Sequence, residues 1–169
     1  KNKVKVEVHN SKTKVTKQDI KGSEFIYQKE KYTLPVLGEH QIKNATLVID
    51  IAKKLKITDK IIKKGLQTVE IPICMEIVSQ KPLIILDGAH NPKKIKSSID
   101  TIKKLLPKKN LHLIVGFAHN KEWQKLIKQL AVLKPKTISC TRFSNNMFRK
   151  VSSPKVIADK FKKILPKVK

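Results

Sequence analysis

Pro82-Leu83-Ile84-Ile85-Leu86-Asp87-Gly88-Ala89-His90-Asn91-Pro92 is the stretch whose reading decides the fold. Its apolar run is a buried-strand pattern, and it passes straight into a polar turn and a proline suited to the first turn of a helix. The amphipathic residues 92–106 predict that helix. In an open α/β sheet, ligands gather where strands end and helices begin. Asp87, His90 and Asn91 would there project polar groups into a crevice, and helix amides just past Asn91 would add a place for anions. Asp87 and Asn91 are also residue types that cap helices, and Asn91 directly before Pro92 suits that role. Capping alone needs neither His90 nor Asp87, which makes these two the leading functional candidates.

Outward from this stretch the pattern repeats. Residues 75–79 and 83–86 read as strands, 111–115 as a strand, 122–133 as a helix, 137–140 as a strand and 154–165 as a final helix. Ile- and Leu-rich strands alternating with amphipathic helices predict an α/β fold, Rossmann-like, with a mostly parallel sheet covered by helices on both faces. Upstream the regime differs. Val4, Val6 and Val8 alternate with charged residues, and Phe25-Ile26-Tyr27 and Tyr32-Thr33-Leu34 look like two hairpin strands around residues 28–31. Helices follow over 41–55, where Ile42, Ala45, Val48, Ile49 and Ala52 recur at helical spacing, and from a Thr58 N-cap to Leu66. Pro72 marks the change, so the expected domains are 1–71 and 72–169.

The chain begins with Lys1, without a signal-peptide pattern, and reads as a piece of a longer protein. With hydrophobic residues at 40% it can bury a core, yet no apolar run approaches the ~20 residues of a membrane span. Cys74 and Cys140 are too few and too far apart for a disulfide framework or a zinc site, which points to a reduced, cytoplasmic protein. The formal charge of +25 would attract any anion. The basic residues are nearly all lysine, spread along the chain in pairs such as Lys53-Lys54 and Lys162-Lys163; Arg142 and Arg149 are the only arginines. Base reading and bidentate phosphate clamping favour arginine, so solvated lysine-rich helix faces are preferred here over a nucleic-acid surface.

The strand-Asp-Gly-Ala-His-Asn-Pro-helix signature resembles that of folylpolyglutamate and dihydrofolate synthases in the Mur ligase superfamily. Three further segments resemble the family in the same order. They are Leu34-Pro35-Val36-Leu37-Gly38-Glu39-His40-Gln41-Ile42-Lys43-Asn44-Ala45, then Lys64-Gly65-Leu66 with Pro72 and Glu76-Ile77-Val78, then Leu113-Ile114-Val115-Gly116 followed by Asn120-Lys121-Glu122. The resemblance implies that residues 1–71 end a Mur-ligase central domain and that 72–169 form the glutamate-ligase domain. It implies ATP and Mg2+ as cofactors, with L-glutamate and a folate or dihydropteroate carboxylate joined through an acyl phosphate. It assigns Asn44 to the adenine end of ATP and Asp87 to the nucleotide site. His90 would lie toward the incoming glutamate, so Asp87 and His90 carry the catalytic expectation. No residue here is expected to hold the metal by itself, and the family's usual state is a monomer.

The chain departs from the family in three places. Pro72-Ile73-Cys74-Met75 stands where the family has Pro-Gly-Arg before its strand, so Cys74 replaces an arginine that reaches the phosphates. The Asp-Lys-Asp turn is reduced to Asn120-Lys121-Glu122, and no Gly-x-x-Gly-Lys-Ser/Thr loop occurs in these residues. The expected consequence is a chain not competent by itself to hydrolyse ATP. A second reading is a degenerate ligase domain that binds nucleic acid or another polyanion through its basic surface. Other polar and aromatic residues carry weaker expectations. His9, His112 and His119 read as surface or packing residues, and His40 as capping or orienting the helix of Asn44. Cys140 and Trp123 read as core, and Arg149 falls near an arginine of the family's late loop.

Overall fold

Strand β1 (Lys14–Asp19) opens the part of the chain that the computed structural model describes, which is residues 12–107, 110–119, 122–143 and 150–168. The expected strand at Val4 to Val8, His9, the Asn120-Lys121 turn and Arg149 lie outside the described residues. The chain divides into two units, Lys1–Leu86 and Asp87–Lys169.

In the first unit, β1, β2 (Gly22–Tyr27) and β3 (Glu30–Leu34) form an antiparallel sheet in that order. Alternation places Phe25 and Tyr27 of β2 and Tyr32 and Leu34 of β3 on one buried face, with Phe25 opposite Tyr32 and their rings stacked at 5.7 Å. The β2–β3 turn is two residues, Gln28 and Lys29, both left-handed at φ 48 and 68, which matches the twist of a tight hairpin. Gly22 takes φ 125, and a Cβ there would lie 2.2 Å from the Leu34 carbonyl oxygen, so no other residue fits. Helices α1 (Glu39–Lys54) and α2 (Asp59–Gln67) complete this core with Ile42, Ala45, Ile49, Ile62 and Leu66. The sheet tyrosines reach the helices: Tyr27 donates to both Asp50 carboxylate oxygens at 2.9 Å, and Tyr32 donates to Asp59 at 3.2 Å.

Strands β4 (Glu76–Gln80) and β5 (Leu83–Leu86) form an antiparallel hairpin across Lys81 and Pro82. The sequence reading expected both in a mostly parallel sheet. A two-residue turn cannot make the crossover that parallel strands require. The pairing keeps β5 with the first compact unit, which ends at Leu86.

The second unit alternates α3 (Pro92–Leu105), β6 (His112–Val115), α4 (Trp123–Ala131), β7 (Thr137–Cys140) and α5 (Pro154–Ile164). Strands β6 and β7 pair in parallel, His112 opposite Thr137 and Val115 opposite Cys140. This is the only parallel pair among the described residues. Leu113, Val115, Ile138 and Cys140 pack against a core built from Ile95, Ile99, Trp123, Leu126, Ile127, Ile157 and Phe161. The other face is open: Ile114 is 77% exposed. Coverage of both faces, expected from the apolar runs, is therefore not found in the described residues, because such runs do not distinguish a strand covered on one face from one covered on both. The chain is α/β, as expected. Trp123 and Cys140 are placed as core residues, and burial pushes the Cys140 thiol pKa up. No helix among the described residues is long and apolar enough to cross a membrane.

Candidate functional site

The turn after β5 is fixed by its own polar groups. Asp87 Oδ1 accepts the Ala89 amide hydrogen at 3.1 Å, and Asp87 Oδ2 accepts from the Ser98 hydroxyl two turns into α3. Ser98 is buried and also lies 3.0 Å from the Lys94 carbonyl, so the contact ties the loop carboxylate to the helix body. Ala89 packs onto the core, which leaves the flanking Asp87 and His90 exposed. His90 Nδ1 lies 2.8 Å from the Gly88 carbonyl oxygen. A carbonyl can only accept, so Nδ1 carries the proton of this contact, and Nε2 is the ring nitrogen left to meet a ligand. The turn thus places a carboxyl group and an imidazole three residues apart.

Asn91 Oδ1 accepts the Lys94 amide hydrogen at 2.9 Å, so Asn91 is the N-cap of α3, with Pro92 behind it. This reduces the anion site expected at the helix start. Pro92 has no amide hydrogen and that of Lys94 is taken by the cap, which leaves Lys93 as the first-turn donor the cap does not use. Positive charge is supplied instead by the exposed Lys93 and Lys94, with no acidic residue in the first turn.

Asn44 belongs to the other unit, on the exposed side of α1. Its Nδ2 donates to Gln41 Oε1 at 3.0 Å, and the buried Gln41 donates from Nε2 to Cys74 Sγ at 3.0 Å. Cys74 thus serves as a hydrogen-bond acceptor at the position where the resemblance expects a charged donor. It sits between two left-handed residues, Ile73 (φ 55) and Met75 (φ 52). The Ile73 amide donates to Glu76 Oε2 at 2.8 Å, which closes the turn. The family's glycine would occupy Ile73's place, and the backbone still takes a glycine-like angle there.

Sequence reasoning missed Ser98 and Gln41. Ser98 gives no signal, since a serine inside an amphipathic helix reads as filler. Gln41 could have been found, because it lies three residues before Asn44 on one helix face. Among the described residues no group of three or more His, Cys, Asp or Glu gathers as a metal site. His112 is exposed and bonds Thr137 at 2.8 Å, and the His119 amide donates to the Lys150 carbonyl.

The family model described as "Mur ligase, glutamate ligase domain" matches residues 75–168, and the chain belongs to that family. It is similar to the folylpolyglutamate synthase of Lacticaseibacillus casei, 30% identical over 103 residues, covering 57% of this chain and 24% of that one. The dihydrofolate synthase/folylpolyglutamate synthase of Bacillus subtilis is 29% identical over 104 residues, covering 58% and 24%. Among solved structures, the Thermotoga maritima folylpolyglutamate synthase gives a TM-score of 0.73 at 24% identity over 93% of this chain and 38% of that one. The Mycobacterium tuberculosis folylpolyglutamate synthase complexed with ADP and AMPPCP gives 0.78 at 18% identity, over 94% and 37%. The chain thus spans about a quarter of these two curated relatives and under two-fifths of these solved chains. Both structural likenesses show the fold.

Proposed function

We propose that this chain is the C-terminal part of an ATP-dependent amide ligase that joins L-glutamate to a folate or dihydropteroate carboxylate. In this reading residues 1–71 end a Mur-ligase central domain and 72–169 form the glutamate-ligase domain, Rossmann-like and mostly parallel. The alternation of α3, β6, α4, β7 and α5 and the parallel β6–β7 pair support it. ATP, when bound, supplies the phosphoryl group that turns the acceptor carboxylate into an acyl phosphate, with Mg2+ offsetting phosphate charge.

The residues present fit such a role. Asp87 is held on both oxygens before any ligand arrives, so ordering it costs nothing at the moment of binding. With Nδ1 engaged by the Gly88 carbonyl, Nε2 of His90 is the ring nitrogen that would take a proton from the glutamate ammonium group and expose the nucleophilic amine. Asn44 offers an exposed carboxamide, the group that pairs with an adenine edge. Phosphate binding falls mainly to residues outside this chain, since no phosphate loop occurs in it. The chain alone would then not hydrolyse ATP, and the whole protein would act as a cytoplasmic monomer.

The observation that carries the proposal is the doubly anchored Asp87 beside the tautomer-fixed His90, inside the family match. The rival reading, a polyanion-binding module, draws on the charge of +25. Nucleotide titrations of the full-length protein decide between them. Saturable, magnesium-linked ATP binding, lost in Asp87→Ala, supports the ligase. Affinity for random-sequence DNA that falls steeply with salt, with no such nucleotide site, supports the module.

A further inference from the structure

Gln41, in the first turn of α1, is 6% exposed, and both ends of its carboxamide are used. Oε1 accepts from Asn44 Nδ2 and Nε2 donates to Cys74 Sγ, each at 3.0 Å. Gln41 and Asn44 lie three residues apart and share a helix face. Cys74 is presented by a turn bracketed by the left-handed Ile73 and Met75, a conformation that costs non-glycine residues energy and persists only when the surroundings enforce it.

An asparagine carboxamide has two ends of equal size and opposite hydrogen-bonding sense. Which end faces a ligand depends on what ties the other. With one Nδ2 hydrogen committed to Gln41, Asn44 turns Oδ1 and its second Nδ2 hydrogen outward. An acceptor beside a donor matches the amino group and ring nitrogen along the edge of a 6-aminopurine. Along the N7 edge a 6-oxopurine presents acceptors at both places, O6 and N7, and sets a lone pair against Oδ1. The orientation of Gln41 depends in turn on Cys74. Sulfur accepts from Nε2, whereas a guanidinium can only donate and would draw Gln41's oxygen instead.

We propose that Gln41, anchored by Cys74, is a positioning residue that fixes the Asn44 carboxamide with its oxygen outward and thereby sets a preference for 6-aminopurine over 6-oxopurine nucleotides. The proposal rests on the adenine-holding role given to Asn44 above.

Two measurements test it and separate its failure from failure of that role. The first needs no nucleotide. In the 15N-labelled chain the two Asn44 side-chain amide protons should be well dispersed and slow to exchange. Gln41→Leu, close in volume, should collapse them toward free-amide values and speed exchange several-fold, with the Asn44 backbone amide unmoved. Gln41→Glu keeps the acceptor for Asn44 and should restore the dispersion. Asn44 side-chain signals unchanged in Gln41→Leu overturn the proposal. Should Gln41→Leu not fold, Cys74→Ala carries the same expectation in weaker form, and no change there overturns it equally.

The second measurement compares ATP, inosine triphosphate and tripolyphosphate binding to the full-length protein. Gln41→Leu should reduce the preference for ATP over inosine triphosphate about tenfold, with tripolyphosphate affinity unchanged. If Asn44→Ala leaves the preference intact, the adenine-holding role fails. If Asn44→Ala abolishes it while Gln41→Leu does not, the positioning role fails.

Discussion

Ile73 holds φ 55 with a β-branched side chain, a conformation that costs an L-residue roughly 1–2 kcal/mol and costs glycine little. Its side chain is 57% exposed, so removing it sacrifices little packing. Ile73→Gly should therefore stabilise the chain by about 1 kcal/mol in urea unfolding, after the added freedom of glycine in the unfolded state is subtracted. A neutral or destabilising result would contradict the left-handed turn. At this scale the sequence displayed the residues proposed to carry chemistry but not those that hold them. Asp87, His90 and Asn44 stand in ordered motifs. Ser98 lies eleven residues beyond Asp87 inside a helix, and its link to the carboxylate exists only once α3 folds back on its own loop. Cys74 was legible as a lost charge; that it accepts from Gln41 required the turn geometry.

Helix starts show the same division between elements. Asn91 was read as a cap and is one. Its bond to the Lys94 amide should make Asn91→Ala cost about 1 kcal/mol, measured by thermal or urea unfolding. Cap loss should also loosen His90, which shares the turn. Thr58 occupies the N-cap position of α2 with extended angles, but its hydroxyl makes no capping bond. The Thr58 carbonyl instead accepts from Ile61 and Ile62 at 3.0 and 3.1 Å, so position alone did not settle the bonding. Helix bounds followed their apolar periodicity to within two residues at each end. Strand partners did not follow from the sequence, because pairing is a non-local choice; β4–β5 and β6–β7 have similar apolar runs and opposite directions.

For the molecule as a whole, the excess of basic residues contributes little to holding the fold. Pairs such as Lys96–Asp100 and Lys125–Glu122 lie on the surface, where such pairs are worth little. The buried hydroxyl of Tyr32 matters more. Burial, followed by the charge of Asp59, raises its pKa to about 12 from an ordinary 10.0. The neutral phenol is thus the form the fold favours. Its stabilising effect is fully present below about pH 10 and is lost as pH rises to about 12. Unfolding followed by circular dichroism between pH 9 and 12 should show this loss, and Tyr32→Phe should flatten it. Tyr27, raised first by burial and then by its bond to Asp50, adds in the same direction.

The glutamate-ligase reading at this scale rests on the Asp87–His90 turn, and its most direct test is product formation. The full-length protein, given ATP, Mg2+, L-glutamate and a dihydropteroate or folate acceptor, should release ADP and phosphate in step with amide product. His90→Ala should lower that turnover about 100-fold or more while leaving ATP affinity within a few-fold, as loss of a positioned proton acceptor requires. Turnover in the wild-type protein that does not depend on L-glutamate, or a His90→Ala variant as active as wild type, would contradict the account.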